Sequence, residues 1–148
     1  MEDHMETIEQ NLNIIHKRIA NACKAAGRPT DRVRLLLATK TVDSNRIKIA
    51  LRQGESLLGE NKVQELKQKC VAISELNPEV HFIGHLQSNK VKEVLKWVTC
   101  IESIDRLSIA QKLHQRMVFE KKEVDVYIQV NTSLEDSKFG VAPESAIE

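Results

Sequence analysis

Lys40 stands two residues beyond the apolar run Val33-Arg34-Leu35-Leu36-Leu37-Ala38. A lysine partly desolvated at the end of a buried strand has its charged form disfavoured, which makes it an amine nucleophile toward aldehydes. The same position equally suits a solvated lysine closing a strand. Gly59-Glu60-Asn61 follows Ser56-Leu57-Leu58 and precedes a helical pattern. Asn61 is there either a helix N-cap or an amide that can bond a ring hydroxyl or the Schiff-base region of a ligand. Gly84-His85-Leu86-Gln87-Ser88-Asn89-Lys90 follows a third apolar run. Free main-chain amides at a helix start, beside Ser88, Asn89 and Lys90, suit an anion. Ser137-Lys138-Phe139-Gly140 sets another lysine after a fifth run, where a solvated loop role competes. His81 and His85 have the spacing of a helical metal pair, but His81 falls in a strand pattern. No Glu follows the first His as in His-Glu-x-x-His, so no metal site is expected.

These groups matter only if the chain brings them to one place. Ile8, Leu12, Ile15, Ile19, Cys23 and Ala26 recur at helical spacing, with Gly27 and Pro29 as stop signals. After the first apolar run, Asp43 or Ser44 caps a helix through Ile47, Ala50 and Leu51 that closes at Gly54. A helix bearing Val63, Leu66, Cys70 and Ile73 follows the second strand. The third strand is Val80 to Gly84, and a helix from Ser88 carries Val91, Val94 and Leu95. A fourth strand, Val98 to Ser103, precedes an Asp105-capped helix bearing Leu107, Ala110, Leu113 and Met117. The fifth strand is Val124 to Val130, and a further helix is expected after Gly140, with Pro143 in its first turn. Strand and helix alternating at roughly 18 to 26 residues is the mark of βα units on a parallel sheet. An open doubly wound sheet and part of a (β/α)8 barrel both fit; a full barrel needs about 250 residues.

Composition narrows the function. Of 148 residues, 41% are hydrophobic and 29% charged, as in a globular domain with a real core. The net charge of +1 and 3% aromatic content leave neither a field for a polyanion nor platforms for bases, so nucleic acid is not expected. No run approaches the ~18 apolar residues of a membrane span, and Met1 to Gln10 is unlike a signal peptide. Cys23, Cys70 and Cys100 are odd in number and unclustered, which fits a reducing cytosol rather than a disulfide scaffold.

Read together, the blocks Leu37-Ala38-Thr39-Lys40-Thr41, Leu58-Gly59-Glu60-Asn61-Lys62-Val63-Gln64-Glu65 and His81 to Lys90 form a pattern. It continues through Ile104-Asp105-Arg106-Leu107, Ile128-Gln129-Val130-Asn131 and Ser137-Lys138-Phe139-Gly140. In this order they resemble the pyridoxal phosphate homeostasis proteins, the YggS or PROSC family, which look like the barrel domain of alanine racemase standing alone. The resemblance implies an α/β fold of (β/α)8 TIM-barrel type, incomplete, with about the first five βα units and an extra N-terminal helix. Residues 1–148 would form a single domain. Pyridoxal 5'-phosphate is the implied cofactor, with Lys40 matching the Schiff-base lysine and Asn61 the motif asparagine beside it. His85, Ser88, Asn89, Ser137 and Lys138 match motif positions at the barrel mouth.

Members of that family continue well past the position of Glu148, so the resemblance marks the chain as truncated, without the loops that hold the cofactor phosphate. The function it implies is cytoplasmic cofactor carriage without substrate turnover, with pyridoxal phosphate-dependent apo-enzymes as recipients. An amino-acid racemase and a cofactor-free Schiff-base lyase are the alternatives. Racemisation needs two opposed bases, and in the racemase the second comes from an additional domain. No catalytic residue, metal, nucleic acid or membrane partner is implied. The open edges of an incomplete barrel are expected to favour a dimer.

Overall fold

The computed structural model describes residues 2–147, with side chains from residue 7. Five strands form one parallel sheet in the order β1-β2-β3-β4-β5. They are β1 (Leu37–Ala38), β2 (Leu57–Glu60), β3 (Glu79–Phe82), β4 (Cys100–Ile104) and β5 (Asp125–Ile128). The helices are α1 (Glu2–Ala25), α2 (Ser44–Arg52), α3 (Val63–Ala72), α4 (Val91–Val94) and α5 (Leu107–Glu120). Sequential strand order without a reversal is the barrel's winding; a doubly wound sheet reverses at a switch point.

Register shows which face the helices cover. Leu58 pairs with Val80, and Phe82 with Ile101, so these side chains share one face. That face packs on the helices: Leu58 with Ile47 and Ile73, and Val80, Phe82 and Ile101 with Leu66, Val94 and Ile109. The opposite face holds Gly59, His81 and Cys100, which are also register partners. The apolar residues therefore gather in one layer between sheet and helices. Burying Phe82 there stabilises the fold by about 1.5–3 kcal/mol.

Several elements differ from the sequence expectation. The first strand shortens to Leu37–Ala38, because the residues before it pair with no neighbour. Gly59 and Glu60 belong to β2, and the helix after them is capped at Lys62, so Asn61 is not an N-cap. The helix expected from Ser88 is a 3-10 turn, Ser88–Lys90, followed by the short α4. The helix expected after Gly140 is another 3-10 turn, Pro143–Ser145. Asp105 does not cap α5: Arg106 occupies the N-cap without a side-chain bond, and the Asp105 carboxylate is drawn to His85 and Arg106. Leu107 is 72% exposed, and the α5 stripe is carried by Ile109 and Leu113.

α1 lies outside the repeating pattern and rests against α2, with Leu12 and Cys23 buried and His16 bonded to Glu55 at 2.5 Å. The sheet does not close. Among the described residues, β1 pairs only with β2 and β5 only with β4. Val126, Tyr127 and Ile128 on β5 are exposed, as are Val118 and Phe119 on α5.

At the start of α2, Asp43 accepts hydrogen bonds from the Asn45 and Arg46 amides, as the sequence reading expects of a cap. Asp43→Ala is expected to destabilise the protein by about 1 kcal/mol in a chemical denaturation curve, with an unchanged denaturant slope.

Candidate functional site

The C-terminal ends of β1, β2 and β3 converge on one end of the sheet. Lys40 lies two residues beyond Ala38, and Asn61 two beyond Gly59, the register partner of Ala38. The sheet thus delivers both residues at the same height on neighbouring strands. Lys40 is exposed rather than partly desolvated, and among the described residues its ammonium has no hydrogen bond or ion pair. Its carbonyl accepts the Thr41 hydroxyl at 2.6 Å. Thr41 has φ +63°, a left-handed conformation rare for a β-branched residue and costing about 1–3 kcal/mol.

Behind this turn lies a buried charge network that the motif reading missed. Glu60 is 2% exposed, and its Oε1 accepts the Thr39 hydroxyl at 2.5 Å and Lys69 Nζ at 2.8 Å. Lys69 also donates to the Thr39 carbonyl at 2.6 Å and to Glu65 Oε2 at 3.0 Å. Burial alone would lower the Lys69 pKa; the hydrogen bonds to Glu60 and Glu65 outweigh it and hold the ammonium above its ordinary range. Glu65 is pulled below the carboxylate range, first by the Thr41 amide and then by Lys69. Its contribution to folding is therefore present at neutral pH and is lost as pH falls through that lowered pKa. The available signal was the apolar period of α3, which puts Lys69 beside Leu66 and Cys70 on an inward-facing stripe.

Asn61 approaches the loop after β3 closely. A Cβ on Gly84 would lie 2.1 Å from the Asn61 carbonyl oxygen, so only glycine fits. Ser103 supports the same loop by donating to the Gly84 carbonyl at 2.5 Å. Among the described residues, Asn61 Oδ1 is buried with no partner, as is Glu60 Oε2. An unpartnered buried acceptor costs about 1–3 kcal/mol, so a ligand that donated to it would recover that loss. Asn61 and His85 line one cavity of about 240 Å³ together with Gln64, Gln87 and Lys90.

His85 connects this cavity to the loop after β5. Its Nδ1 donates to Asp105 Oδ2 at 3.0 Å, and its ring stacks on Phe139 with centroids 3.8 Å apart. Asp105 also pairs with Arg106, which donates to the Leu86 carbonyl at 2.9 Å. The loop carrying Ser137 and Lys138 is fastened by Asn131 Nδ2, which donates to the Glu135 carbonyl at 3.0 Å, and by Gln129 Nε2 on the Phe139 carbonyl at 2.8 Å. Asn61, His85 and this loop are thus joined. Ser88 and Asn89 open instead onto a separate groove of about 380 Å³ with Lys92, Lys112 and Arg116.

Deeper on the same sheet face as Gly59, Nδ1 of His81 lies 2.6 Å from Glu102 and its Nε2 lies 2.9 Å from Glu79, which also binds Arg34. His81, Cys100 and Glu102 bring potential ligand atoms within 4.8 Å of one another. Both His81 nitrogens are already engaged by carboxylates. Burial, then the nearby Glu102, Asp125 and Glu79, pushes the Cys100 thiol up to about 11. The thiolate that a metal would require is therefore disfavoured here.

Gly84→Ala is expected to push the Asn61 main chain away from β3 and to destabilise the fold by about 1–3 kcal/mol, measured by thermal melting. An unchanged melting temperature would mean that the Asn61 loop relaxes freely.

No family model matches the chain. A pyridoxal phosphate homeostasis protein of Pasteurella multocida is 40% identical over 144 residues, which cover 96% of this chain and 62% of that protein. Its counterparts in Aquifex aeolicus and Escherichia coli K12 are 40% and 37% identical, covering 94% and 93% of this chain and 61% and 60% of those proteins. A solved structure of an unknown protein from Bifidobacterium adolescentis superposes with a TM-score of 0.90 at 35% identity, covering 99% of this chain and 64% of that one. PipY of Synechococcus elongatus PCC7942, solved with pyridoxal phosphate bound, gives a TM-score of 0.70 at 25% identity, covering 88% and 59%. The chain spans about three fifths of the length of the curated relatives it matches. Over about three fifths of their length, this chain is similar in sequence to the pyridoxal phosphate homeostasis proteins, and its fold is similar to that of PipY.

Proposed function

We propose that this chain binds pyridoxal 5'-phosphate through Lys40 and holds it without turning over a substrate. The observation that carries the reading is the register of two adjacent strands: an unengaged lysine and Asn61, whose Oδ1 has no partner among the described residues, each lie two residues beyond paired positions. Two relations support it: the homologues are named for pyridoxal phosphate homeostasis, and PipY binds that cofactor. The chain's own residues fit the group in kind. Lys40 offers an amine for the aldehyde, Asn61 Oδ1 an acceptor for the ring hydroxyl, and the stacked His85 and Phe139 a flat wall. Lys138 and Ser137 add a cation and a hydroxyl on the loop that Phe139 joins to His85. Ser88 and Asn89 face the neighbouring groove, and the reading gives them no contact with the cofactor.

The bond is made when the neutral Lys40 amine attacks the aldehyde carbon, forming C=N with loss of one water. Hydrolysis reverses it, which suits storage and release to apo-enzymes better than permanent attachment. Carriage is preferred to racemisation because racemisation needs two opposed bases around the cofactor, and this reading assigns only Lys40 to it. A cytoplasmic setting agrees with the three free cysteines Cys23, Cys70 and Cys100.

Pyridoxal phosphate added to the protein should produce a visible absorbance band. Borohydride reduction and peptide mapping should then find the label on Lys40, and Lys40→Ala should lose both. Label scattered over surface lysines would refute the assignment.

The edges of β1 and β5 and the exposed apolar residues of β5 support a second proposal, that the chain associates with itself through its open sheet. Light scattering should then report a dimer or larger species; a monodisperse monomer at micromolar concentration would overturn it.

A further inference from the structure

The peptide groups on either side of Lys40 are both gripped by α3. Lys69 Nζ donates to the carbonyl of Thr39, immediately before Lys40, at 2.6 Å. Glu65 Oε2 accepts the amide of Thr41, immediately after it, at 2.9 Å. Lys69 and Glu65 are one helical turn apart and bonded to each other at 3.0 Å, so the two grips form one rigid bracket. Glu60 anchors the bracket to the sheet through Lys69 and the Thr39 hydroxyl. Thr41 is held in the left-handed region, φ +63°, where a β-branched residue stays only if its surroundings compel it.

We propose that Glu65 and Lys69 are positioning residues for Lys40: by fixing the main chain before and after it, they set the direction in which its side chain leaves β1. The inference rests on reading Lys40 as the lysine that bonds the cofactor, and it assigns roles to two residues that do not touch that cofactor. Cohesion alone is a weak account of the arrangement, since a buried ion pair adds little net stability over an apolar replacement. A lysine side chain has four rotatable bonds. Anchoring its Cα–Cβ direction narrows the volume its amine explores and raises the effective concentration of that amine at the site.

Glu65 is the residue to change, because its side chain is partly exposed and its loss spares the buried Glu60–Lys69 pair. The probe is pyridoxal 5'-phosphate with the chain as it stands. Two quantities are read: the apparent dissociation constant from visible absorbance, and the fraction of reduced label found on Lys40 rather than on other lysines. Glu65→Ala should weaken binding about 5- to 10-fold, the equivalent of one lost ordinary hydrogen bond, and spread label to other lysines. Glu65→Gln keeps an acceptor for the Thr41 amide and should stay within about twofold of the parent. A merely structural role would lower the melting temperature without redistributing the label. Unchanged Lys40 labelling in Glu65→Ala, or equal loss in Glu65→Gln, would overturn the bracket while leaving the Lys40 assignment standing. No Lys40 label in the parent chain would remove that assignment, and the bracket with it.

Discussion

The Lys69 ammonium is the only buried cation of the lysines and arginines among the described residues, and the end of the sheet is organised around it. Desolvating such a charge costs several kcal/mol, so it is tolerated only where every proton finds an acceptor. Its three acceptors come from three places in the chain: the Thr39 carbonyl at the end of β1, Glu60 on β2 and Glu65 on its own helix. Satisfying that one ammonium therefore fixes α3 against both strands. Two carboxylates face one cation here, and Glu60 Oε2 is left unpartnered. Such a cluster is better suited to specifying a geometry than to adding stability.

The two faces of the sheet divide the work. The helix-covered face is almost wholly apolar, from Leu58 through Phe82 to Ile101. The other face carries Arg34, Glu79, His81 and Glu102, a connected set of charges where a barrel interior is ordinarily filled by branched aliphatic side chains. Glycine at 84 lets the Asn61 main chain approach more closely than any side chain would allow, and glycine at 59 leaves room for the Leu36 and Ile83 side chains. The candidate site sits at the rim of this polar face. The hydrophobic layer supplies the rigidity, and the rim supplies the groups.

Much of the fold was legible in the order of residue types. The alternation of apolar runs and helical stripes announces βα units, because buried parallel strands and amphipathic helices each impose their own local period. Lys40 at a strand end, the Asp43 cap and the terminal glycines are local features of this kind. The misreadings arose where a local rule met a distant partner. Asp105 has the composition of a helix cap, but its carboxylate bonds His85, twenty residues away, and Arg106. Asn61 has the look of an N-cap, but its main chain is pressed against Gly84 instead.

By itself, the sequence determined the parallel βα architecture, the apolar face of each helix and the candidate lysine, because all of these follow from spacing within one segment. Only the tertiary structure decided that Lys69 and Glu65 reach the peptides flanking Lys40, that Asn61 keeps an unpartnered oxygen, and that Phe139 stacks on His85. Those contacts depend on strand register and on the rotation of α3 about its axis. Both are set by the packing of the whole layer, so no single segment carries them.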